Sequence, residues 1–483
     1  MHKKMSIIKR VFGWALTLSV IAAGACKNEL NLEPKQSLSP GQALNSLENL
    51  ESILIGGYSR LRDVSYYGRN FVITPDVSGD DLVNTLASNR FVSSYTYERR
   101  AEDGFASGMW TTMYQAINSC NYILDFVGDV EGDAARKRGL MAQALALRGL
   151  VYFDLVRTFA QPYQVGNGGN LGVPLVLQDS LTGSAQTVVF PARATVAEVY
   201  NQIVSDFQEA VTLFSSSSQV IITEPGKGLI DRNTARALLA RVKLYRQGSG
   251  DLEDVVAQST AVISSGKYEL ISKDDYLGAW TRNNDKEALF HVTFVDDNNN
   301  GSNNLGRMYL EAGYGDLRPR SQFIDLFEIG DVRRQFFVAN QSGEIFINKY
   351  PGINGILGMV SPRVVRLAEV YLNRAEANAR LGNFTEARTD LAVIQRRAYG
   401  DRYTPPTLSD SEVLDAILLE RRKELFAEGH RAFDIFRTNG EVNREGIYAG
   451  NNGPVRTGDW NAIWGIPQVE IDVNGNLVQN PRY

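Results

Sequence analysis

This sequence contains few of the residues that most often carry catalytic or metal chemistry. Two cysteines among 483 residues exclude a disulfide framework and a cysteine-rich metal site. Only His2, His291 and His430 are present, so a histidine-based triad or zinc site is poorly supplied. The sequence also lacks G-x-S-x-G, G-x-x-x-x-G-K-[ST] and H-E-x-x-H motifs. A glycosidase needs only two well-placed carboxylates, so sequence alone does not exclude that class.

Acidic residues outnumber basic ones once the first 25 residues are set apart. The whole chain carries a formal charge of −5, and residues 1–25 hold four basic and no acidic side chains, so residues 26–483 carry −9. An acidic surface argues against nucleic acid as a partner. After this leader no apolar run reaches the roughly 20 residues that a membrane crossing needs.

Residues 1–25 have the pattern of a secretory signal peptide. Basic residues at positions 3–10 precede a short apolar run, Val11–Ala25. The small residues 23–25 fit an ordinary cleavage site and also resemble the lipobox of bacterial lipoproteins. Both interpretations predict cleavage before Cys26 and differ in whether its thiol then carries a lipid. A disulfide between Cys26 and Cys120 is the alternative.

Helical periodicity is the clearest structural signal in the rest of the chain. In residues 364–379, apolar or small side chains recur at i, i+3, i+4 and i+7, Gly382 follows, and a second helix begins near Phe384. This hairpin has tetratricopeptide-like spacing, and a second copy surrounds Gly250. Further helices are predicted at 110–126, 134–159, 194–214 and from Ser409, which forms a capping box with Glu412.

Long polar segments without periodicity separate these helices, at residues 60–108, 161–192, 266–360 and 440–483. Loops of this length in a compact chain are usually functional or disordered, and the tyrosine and tryptophan content argues against disorder. Near the C-terminus, Asn474-Gly475 between Val473 and Leu477 predicts a β-hairpin.

Charged residues interrupt the apolar positions of a predicted helix over Ile417–Arg437. Their signs alternate at three- and four-residue spacing, which favours an ion-pair network between helices. His430 in this helix is interpreted as a packing residue.

One short segment resembles the start of a calcium loop. Asp296, Asn298 and Asn300 followed by Gly301 match its first six positions. The twelfth position is Arg307, a cation where the motif needs an acidic side chain. We therefore predict a solvated asparagine-rich loop and no metal site.

Six segments of the chain form a recognisable set, in this order: WTTMYQAINSCNYIL, AQALALRGLVYFDLVRTFAQPY, ALLARVKLYRQG, RLAEVYLNRAEANARLGNFTEA, ERRKELFAEGHRAFDIFR and NLVQNPRY. Together they resemble the SusD/RagB family of Bacteroidetes outer-membrane lipoproteins. The resemblance covers nearly the whole chain from Cys26, in the family's order, with small departures at Ala23 in the lipobox and Arg482 near the end.

This resemblance implies a fold, a function and a partner. The expected fold is an all-α, SusD-like scaffold of tetratricopeptide-like hairpins with long loops and a few short β-hairpins, forming a single domain over 26–483. The expected function is non-enzymatic capture of a glycan, or of a peptide as in some relatives, without a cofactor. The expected partner is a SusC-like, TonB-dependent outer-membrane transporter. Cys26 would carry the lipid that holds the protein at the outer membrane, exposed at the cell surface.

Candidate ligand-binding residues follow from the chemistry of sugars. A sugar ring offers an apolar face and a rim of hydroxyls, so its site needs aromatic platforms with polar side chains at their edges. The resemblance places the ligand loops at about 60–108 and 266–360, and Trp280 is the first choice among their residues. The full candidate set is Tyr66, Tyr67, Asp80, Asp81, Arg90, Tyr95, Tyr97, Tyr276, Trp280, Asn283, Tyr309 and Tyr314.

Three functions remain open at this point. Glycan capture predicts oligosaccharide binding, peptide capture predicts the same architecture without sugar binding, and an exported glycoside hydrolase predicts turnover.

Overall fold

The computed structural model describes residues 46–178, 190–217, 228–283, 285–400, 402–444 and 454–483. The predicted signal peptide and Cys26 lie outside these residues. Helices predominate, as the all-α prediction required. In chain order they are α1 (Leu47–Arg60), α2 (Asn70–Ser78), α3 (Val92–Thr96), α4 (Gly104–Phe126), α5 (Ala134–Phe159), α6 (Val196–Leu213), α7 (Arg232–Arg246), α8 (Asp251–Ile263), α9 (Ser321–Ile324), α10 (Leu367–Arg380), α11 (Phe384–Tyr399), α12 (Asp410–Glu424), α13 (Arg431–Arg437) and α14 (Gln468–Val473).

The strands in the described residues are short and form antiparallel pairs. Two of the pairs are local hairpins, which confirms the expected few short β-hairpins, while others join distant parts of the chain. The pairs are β1 (Leu82–Asn84) with β5 (Leu317–Pro319), β2 (Leu171–Pro174) with β3 (Arg193–Thr195), β4 (Ala288–His291) with β10 (Arg363–Arg366), β6 (Phe337–Ala339) with β7 (Ile345–Ile347), β8 (Gly352–Ile353) with β9 (Ile356–Leu357), and β11 (Glu441–Val442) with β12 (Val455–Arg456).

Helical hairpins stack side by side to form the scaffold. Helices α4 to α8 each pack against the next, α8 packs against α10, and α10 contacts both α11 and α12. The two predicted tetratricopeptide-like hairpins, α7–α8 and α10–α11, are confirmed and lie next to each other. Gly250 and Gly382 stand between their helices with φ of 75° and 81°, a left-handed conformation that favours glycine.

Capping residues explain where several helices begin. Ser409 and Glu412 form the predicted capping box at the start of α12, where the Ser409 N–H donates to the Glu412 carboxylate over 2.8 Å. Thr195 and Glu198 make the same arrangement before α6. These side chains satisfy backbone donors that a helix leaves free at its first turn.

Helix α5 is the central element of the core. Among the described residues it is the one helix long and apolar enough to cross a membrane, and 94% of its most apolar stretch is buried inside the protein. Its Arg148 pairs with Asp206 of α6 through two contacts of 2.8 Å. Cys120 of α4 is fully buried in the same core, and burial raises the pKa of its thiol to about 12.

The predicted ion-pair network is confirmed in the interior. Glu424 of α12 accepts hydrogen bonds from Arg333, Arg366 and Arg397, and Glu428 pairs with Arg366 and with Lys349. The three surrounding guanidinium groups hold the pKa of Glu424 well below its usual range, although burial opposes this shift. Because each partner is buried, removal of one would leave an uncompensated charge.

The prediction of one helix over Ile417–Arg437 is wrong. Helix α12 ends at Glu424 and α13 begins at Arg431, because Ala427 and Gly429 adopt left-handed conformations with φ of 60° and 83°. The break frees backbone donors at residues 429–431. The Asp76 carboxylate of α2 accepts hydrogen bonds from all three N–H groups, at 2.7, 3.2 and 3.2 Å.

Three local predictions also need correction. Val473 ends a helix, α14, so Asn474-Gly475 is a turn after a helix and not the centre of a hairpin. The periodic segment at 364–379 begins as strand β10, because its first residues pair with β4, and becomes helical only at Leu367. The segment 60–108 contains helix α2, whose nine residues are all buried.

Candidate functional site

The β1–β5 pair brings the two predicted ligand loops together. Leu82 pairs with Pro319 and Asn84 with Leu317, and the Thr85 N–H then donates to the Asp316 carbonyl over 2.9 Å. The segment that follows β1 therefore lies beside the segment that precedes β5. We call the surface built around Arg90 and Tyr314, with Arg69, Arg307 and Asp316, the Arg90–Tyr314 patch.

The loop from Asn84 to Phe91 is held by its own side chains. The Asn84 amide donates to the Arg90 carbonyl over 2.8 Å and accepts from the Leu86 N–H over 2.9 Å. Leu86 and Phe91 adopt left-handed conformations, with φ of 58° and 56°, and Leu86 is 47% exposed. A bulky apolar residue in this conformation on the surface is strained, and such strain concentrates at functional sites.

Arg90 and Tyr314, both predicted from the sequence, are in direct contact. The Arg90 guanidinium carbon lies 3.6 Å from the centroid of the Tyr314 ring. Asp316, which is buried, accepts from Arg90 over 3.1 Å and from Ser88 over 2.9 Å. Because Arg90 covers one face of the ring, Tyr314 is part of an arginine–tyrosine stack and not a bare aromatic platform.

Two further arginines adjoin this stack. Arg69 donates to the side-chain oxygens of Asn70 and Asn303, at 2.9 and 2.6 Å; burial, followed by the positive charge of Arg90, lowers the pKa of its guanidinium. The Arg307 guanidinium carbon lies 5.4 Å from the centroid of the Tyr314 ring. The buried Nε of Arg307 has no hydrogen-bond partner among the described residues. The patch is therefore rich in planar hydrogen-bond donors.

A glycine sets the shape of the turn that carries Tyr314. The Tyr314 N–H donates to the Arg307 carbonyl over 2.6 Å. A Cβ at Gly313 would lie 2.3 Å from that carbonyl oxygen and 2.7 Å from the Arg307 Cα. Only glycine allows the backbone to approach this closely, so Gly313 positions Tyr314 against the arginines.

Trp280, our first choice as a ligand-binding residue, lies in the core. Its ring is 2% exposed, with the Arg363 guanidinium 3.6 Å and the Lys349 ammonium 4.2 Å from its centroid. The prediction of an exposed sugar platform at Trp280 is wrong because two buried cations already occupy its surroundings. Tyr276, which packs edge-on against it at 6.3 Å, is likewise fully buried.

The other predicted tyrosines, apart from Tyr314, are core residues as well. Tyr66 and Tyr67 both donate to Asp154 of α5, at 2.6 and 2.9 Å. All are at most 5% exposed, so none presents a face to a ligand; the set is Tyr66, Tyr67, Tyr95, Tyr97, Tyr276 and Tyr309.

The remaining polar candidates have structural partners. Asp80 and Asp81 form ion pairs with Arg422 and Arg431 of the C-terminal helices, which ties loop 60–108 to that part of the scaffold. Asn283 donates to the Phe294 carbonyl over 2.9 Å. These contacts stabilise the fold and do not converge with the Arg90–Tyr314 patch.

The segment that resembles a calcium loop has its side chains engaged elsewhere. Asn354 donates to Asp296 over 2.9 Å, Asn300 donates to the Arg62 carbonyl over 3.2 Å, and the Asn298 amide faces the Arg62 guanidinium. Within the described ranges, no group of three or more His, Cys, Asp or Glu side chains is arranged to hold a metal ion.

A cavity of about 50 Å³ lies away from the patch, between α2, the end of α5 and α13. Several buried polar atoms at its wall have no hydrogen-bond partner within the described residues, on Arg157, Gln161, Gln164, Tyr245 and Trp464. This volume accommodates a few water molecules and is far below the roughly 300 Å³ of typical ligand pockets. The half-buried Arg90–Tyr314 patch is the better candidate site.

Sequence reasoning missed Arg69, Arg307 and Leu86. Arg69 precedes a helix that was not predicted, and Arg307 was considered only as a mismatch in the calcium motif. Leu86 carries no chemical signal, and only its backbone conformation singles it out. A search for arginines within the two predicted ligand loops would have found the first two.

Comparisons with known proteins agree with this architecture. The SusD family model matches residues 345–483, and the model described as starch-binding associating with outer membrane matches residues 30–244. A candidate sugar binding protein from Bacteroides vulgatus is 30% identical, with a TM-score of 0.81 over 91% of this chain and 99% of that one. The chain belongs to the SusD/RagB family.

Other SusD relatives extend this likeness. A SusD superfamily protein from Bacteroides thetaiotaomicron is 28% identical, with a TM-score of 0.80 over 90% of this chain and all of that one. SusD-like protein P2 from Formosa agariphila is 23% identical over 94% of this chain and 96% of its own length. The helical scaffold described above is therefore that of the SusD superfamily, whose members are binding proteins associated with the outer membrane.

Proposed function

We propose that this SusD-like protein captures a glycan at the Arg90–Tyr314 patch. The observation that carries the proposal is the convergence of both predicted ligand loops on one half-buried patch through the β1–β5 pair. Relatives described as sugar binding and carbohydrate binding support a sugar as the ligand class. Guanidinium N–H groups and the Tyr314 hydroxyl supply donors for sugar hydroxyls, and Leu86, in the same loop as Arg90, supplies exposed apolar surface.

The captured glycan passes to a SusC-like, TonB-dependent transporter in the outer membrane. Family membership supports this partner, and the outer-membrane description of the matching family model supports the location. In this proposal Cys26 carries the lipid anchor, and the protein is exposed at the cell surface. It acts as a binding protein without catalysis.

The experiment is glycan binding by the mature protein, first on a glycan array and then by calorimetry with the strongest ligand. Replacing Tyr314 with alanine removes the ring on which Arg90 is stacked, and we expect at least a tenfold loss of affinity. Tyr403→Ala is the matched control, because Tyr403 stacks on Tyr399 outside the patch. Equal losses in both variants, or none in Tyr314→Ala, would show that the ligand binds elsewhere.

The same purified protein distinguishes the other two functions. Binding of oligopeptides without any glycan binding would identify a peptide-capturing relative. Release of reducing ends from a bound glycan would identify a glycoside hydrolase. Glycan binding without cleavage is the result that glycan capture predicts.

A further inference from the structure

We infer that the Arg90–Tyr314 patch selects anionic ligands, and that its glycan carries carboxylate or sulfate groups. This inference rests on the proposed function and names the class of glycan. The guanidinium groups of Arg90 and Arg307 lie over the Tyr314 ring, and that of Arg69 lies 5.7 Å from the ring centroid of the adjacent Phe91. Asp316 is the one carboxylate that any of these three arginines contacts among the described residues.

The charges at the patch do not cancel. The Asp316 carboxylate forms an ion pair with Arg90, with 3.1 Å between Oδ2 and Nη1. Among the described residues, the Arg69 side chain donates only to amide oxygens, on Asn70 and Asn303. Arg307 has no carboxylate within 4.0 Å in the described part of the chain. Glu311 is exposed and lies within the turn that the Gly313 N–H closes on the Leu310 carbonyl, so its charge would oppose an anionic ligand.

Arginines of the scaffold find acceptors in two ways. Some pair with a carboxylate through two guanidinium nitrogens, as Arg148 does with Asp206 and Arg374 with Asp390. Others have no carboxylate partner among the described residues and donate to backbone carbonyls, as Arg193 does to those of Leu171, Gly172 and Val478. Arg307 differs from both groups, because its buried Nε has no acceptor among the described residues. Since the whole chain is acidic, with a net charge of −5, the arginines at the patch do not reflect an overall excess of basic residues.

The chemistry of the guanidinium group indicates what completes this site. Its planar fork of donors matches the two oxygens of a carboxylate and the oxygens of a sulfate. The stack on Tyr314 and the bond to Asp316 fix the plane of Arg90, and the Asn303 contact fixes Arg69. A neutral sugar would accept single hydrogen bonds from these groups, whereas a uronate or sulfate ester would also compensate their charge.

The test uses glycans that differ only in charge. Oligogalacturonate is compared with its methyl ester, and a sulfated carrageenan oligosaccharide with its desulfated form, by calorimetry on the mature protein at 20 and 300 mM NaCl. We expect at least one charged member to bind tenfold or more tightly than its neutral partner. We also expect that preference to shrink at high salt, because screening weakens exposed charge pairs.

Substitutions connect the preference to the patch. Arg69→Gln and Arg307→Gln should each reduce binding of the charged glycan about tenfold, while Glu311→Gln should strengthen it, because an opposing charge is removed. Arg282→Gln is the matched control: Arg282 forms an exposed ion pair with Asp275 outside the patch, and its loss should leave affinity unchanged.

The possible outcomes separate this inference from the proposed function. Equal affinity for charged and neutral forms, with Arg69→Gln and Arg307→Gln unchanged, would overturn anionic selection and leave glycan capture intact. Binding of an acidic peptide such as hexaglutamate, lost in Arg69→Gln, with no glycan bound at all, would support anionic selection and overturn glycan capture. Failure of every anionic ligand to bind better than its neutral counterpart would overturn the inference.

Discussion

Single residues show why aromatic side chains were poor guides to the site. Tyr66, Tyr276 and Trp280 lie in polar stretches of sequence, yet all three are buried, because large aromatic rings contribute much apolar area to a core. The hydroxyls of Tyr66 and Tyr276 donate there to Asp154 and Glu424. Arg90 and Tyr314 were predicted from the same reasoning and do lie on the surface. The difference depends on tertiary neighbours that the local sequence does not encode.

Replacing Trp280 with alanine tests its structural role. The change would leave a cavity and remove the ring against which Arg363 and Lys349 pack, so we expect a loss of about 3–5 kcal/mol in the free energy of unfolding. Denaturant unfolding measures this, and calorimetry on the folded variant should give unchanged ligand affinity. Reduced affinity in a variant of unchanged stability would return Trp280 to the binding site.

His430 makes the stability of the protein depend on pH. It is buried beside Arg421, Glu369 and Asp434, and burial lowers its pKa to about 3, compared with about 6.5 in an unfolded chain. Below pH 6.5 the unfolded chain binds this proton more readily, so the contribution of His430 to stability falls as pH decreases from 6.5 towards 3, by about 1.4 kcal/mol per pH unit.

Urea unfolding at pH 7.5 and pH 5 measures this loss. Burial raises the pKa of Asp76 to about 7, so protonation of this carboxyl adds stability as pH falls through the same window. The difference between the wild type and a His430→Gln variant isolates the histidine, and we expect the wild type to lose about 2 kcal/mol more between pH 7.5 and pH 5. An equally steep pH dependence in His430→Gln would assign it to another group.

At the level of elements, the turn before Tyr314 offers a test of how the patch is positioned. Gly313→Ala brings a Cβ against the Arg307 backbone, so the turn must open and Tyr314 must shift. We expect ligand affinity to fall about tenfold with little change in the thermal midpoint, because the turn lies at the surface. In the control, Gly104→Ala, the new Cβ meets no atom within 4 Å. Unchanged affinity in Gly313→Ala would contradict this role.

The sequence predicted elements well where side-chain periodicity was strong. The hairpins α7–α8 and α10–α11, the capping box at Ser409 and the interior ion pairs all follow from local spacing. The break between α12 and α13 did not, because it depends on Asp76, which is more than 350 residues away in the chain. The patch was only half predicted for the same reason, since β1 and β5 meet through pairing between distant segments.

At the scale of the whole molecule, attachment to the membrane is the main open prediction. The apolar run before Cys26 is too short to span a bilayer, so it does not by itself hold the protein in the membrane. A single acyl chain binds a membrane only weakly, and stable anchoring usually takes a second signal. Mass spectrometry of the mature N-terminus should detect a lipid-modified Cys26. An unmodified Cys26, or one bridged to Cys120, would contradict the anchor. A Cys26→Ser variant should be released into the soluble fraction.

The pairing of β1 with β5 also bears on how the protein acquires its function. Leu82 and Pro319 are separated by 237 residues, and contacts of such long range form late, after the entropy of closing the intervening chain has been overcome. The two halves of the patch can meet only after most of the polypeptide has been synthesised and its helical hairpins have stacked. Ligand binding should therefore be the last property to appear during refolding.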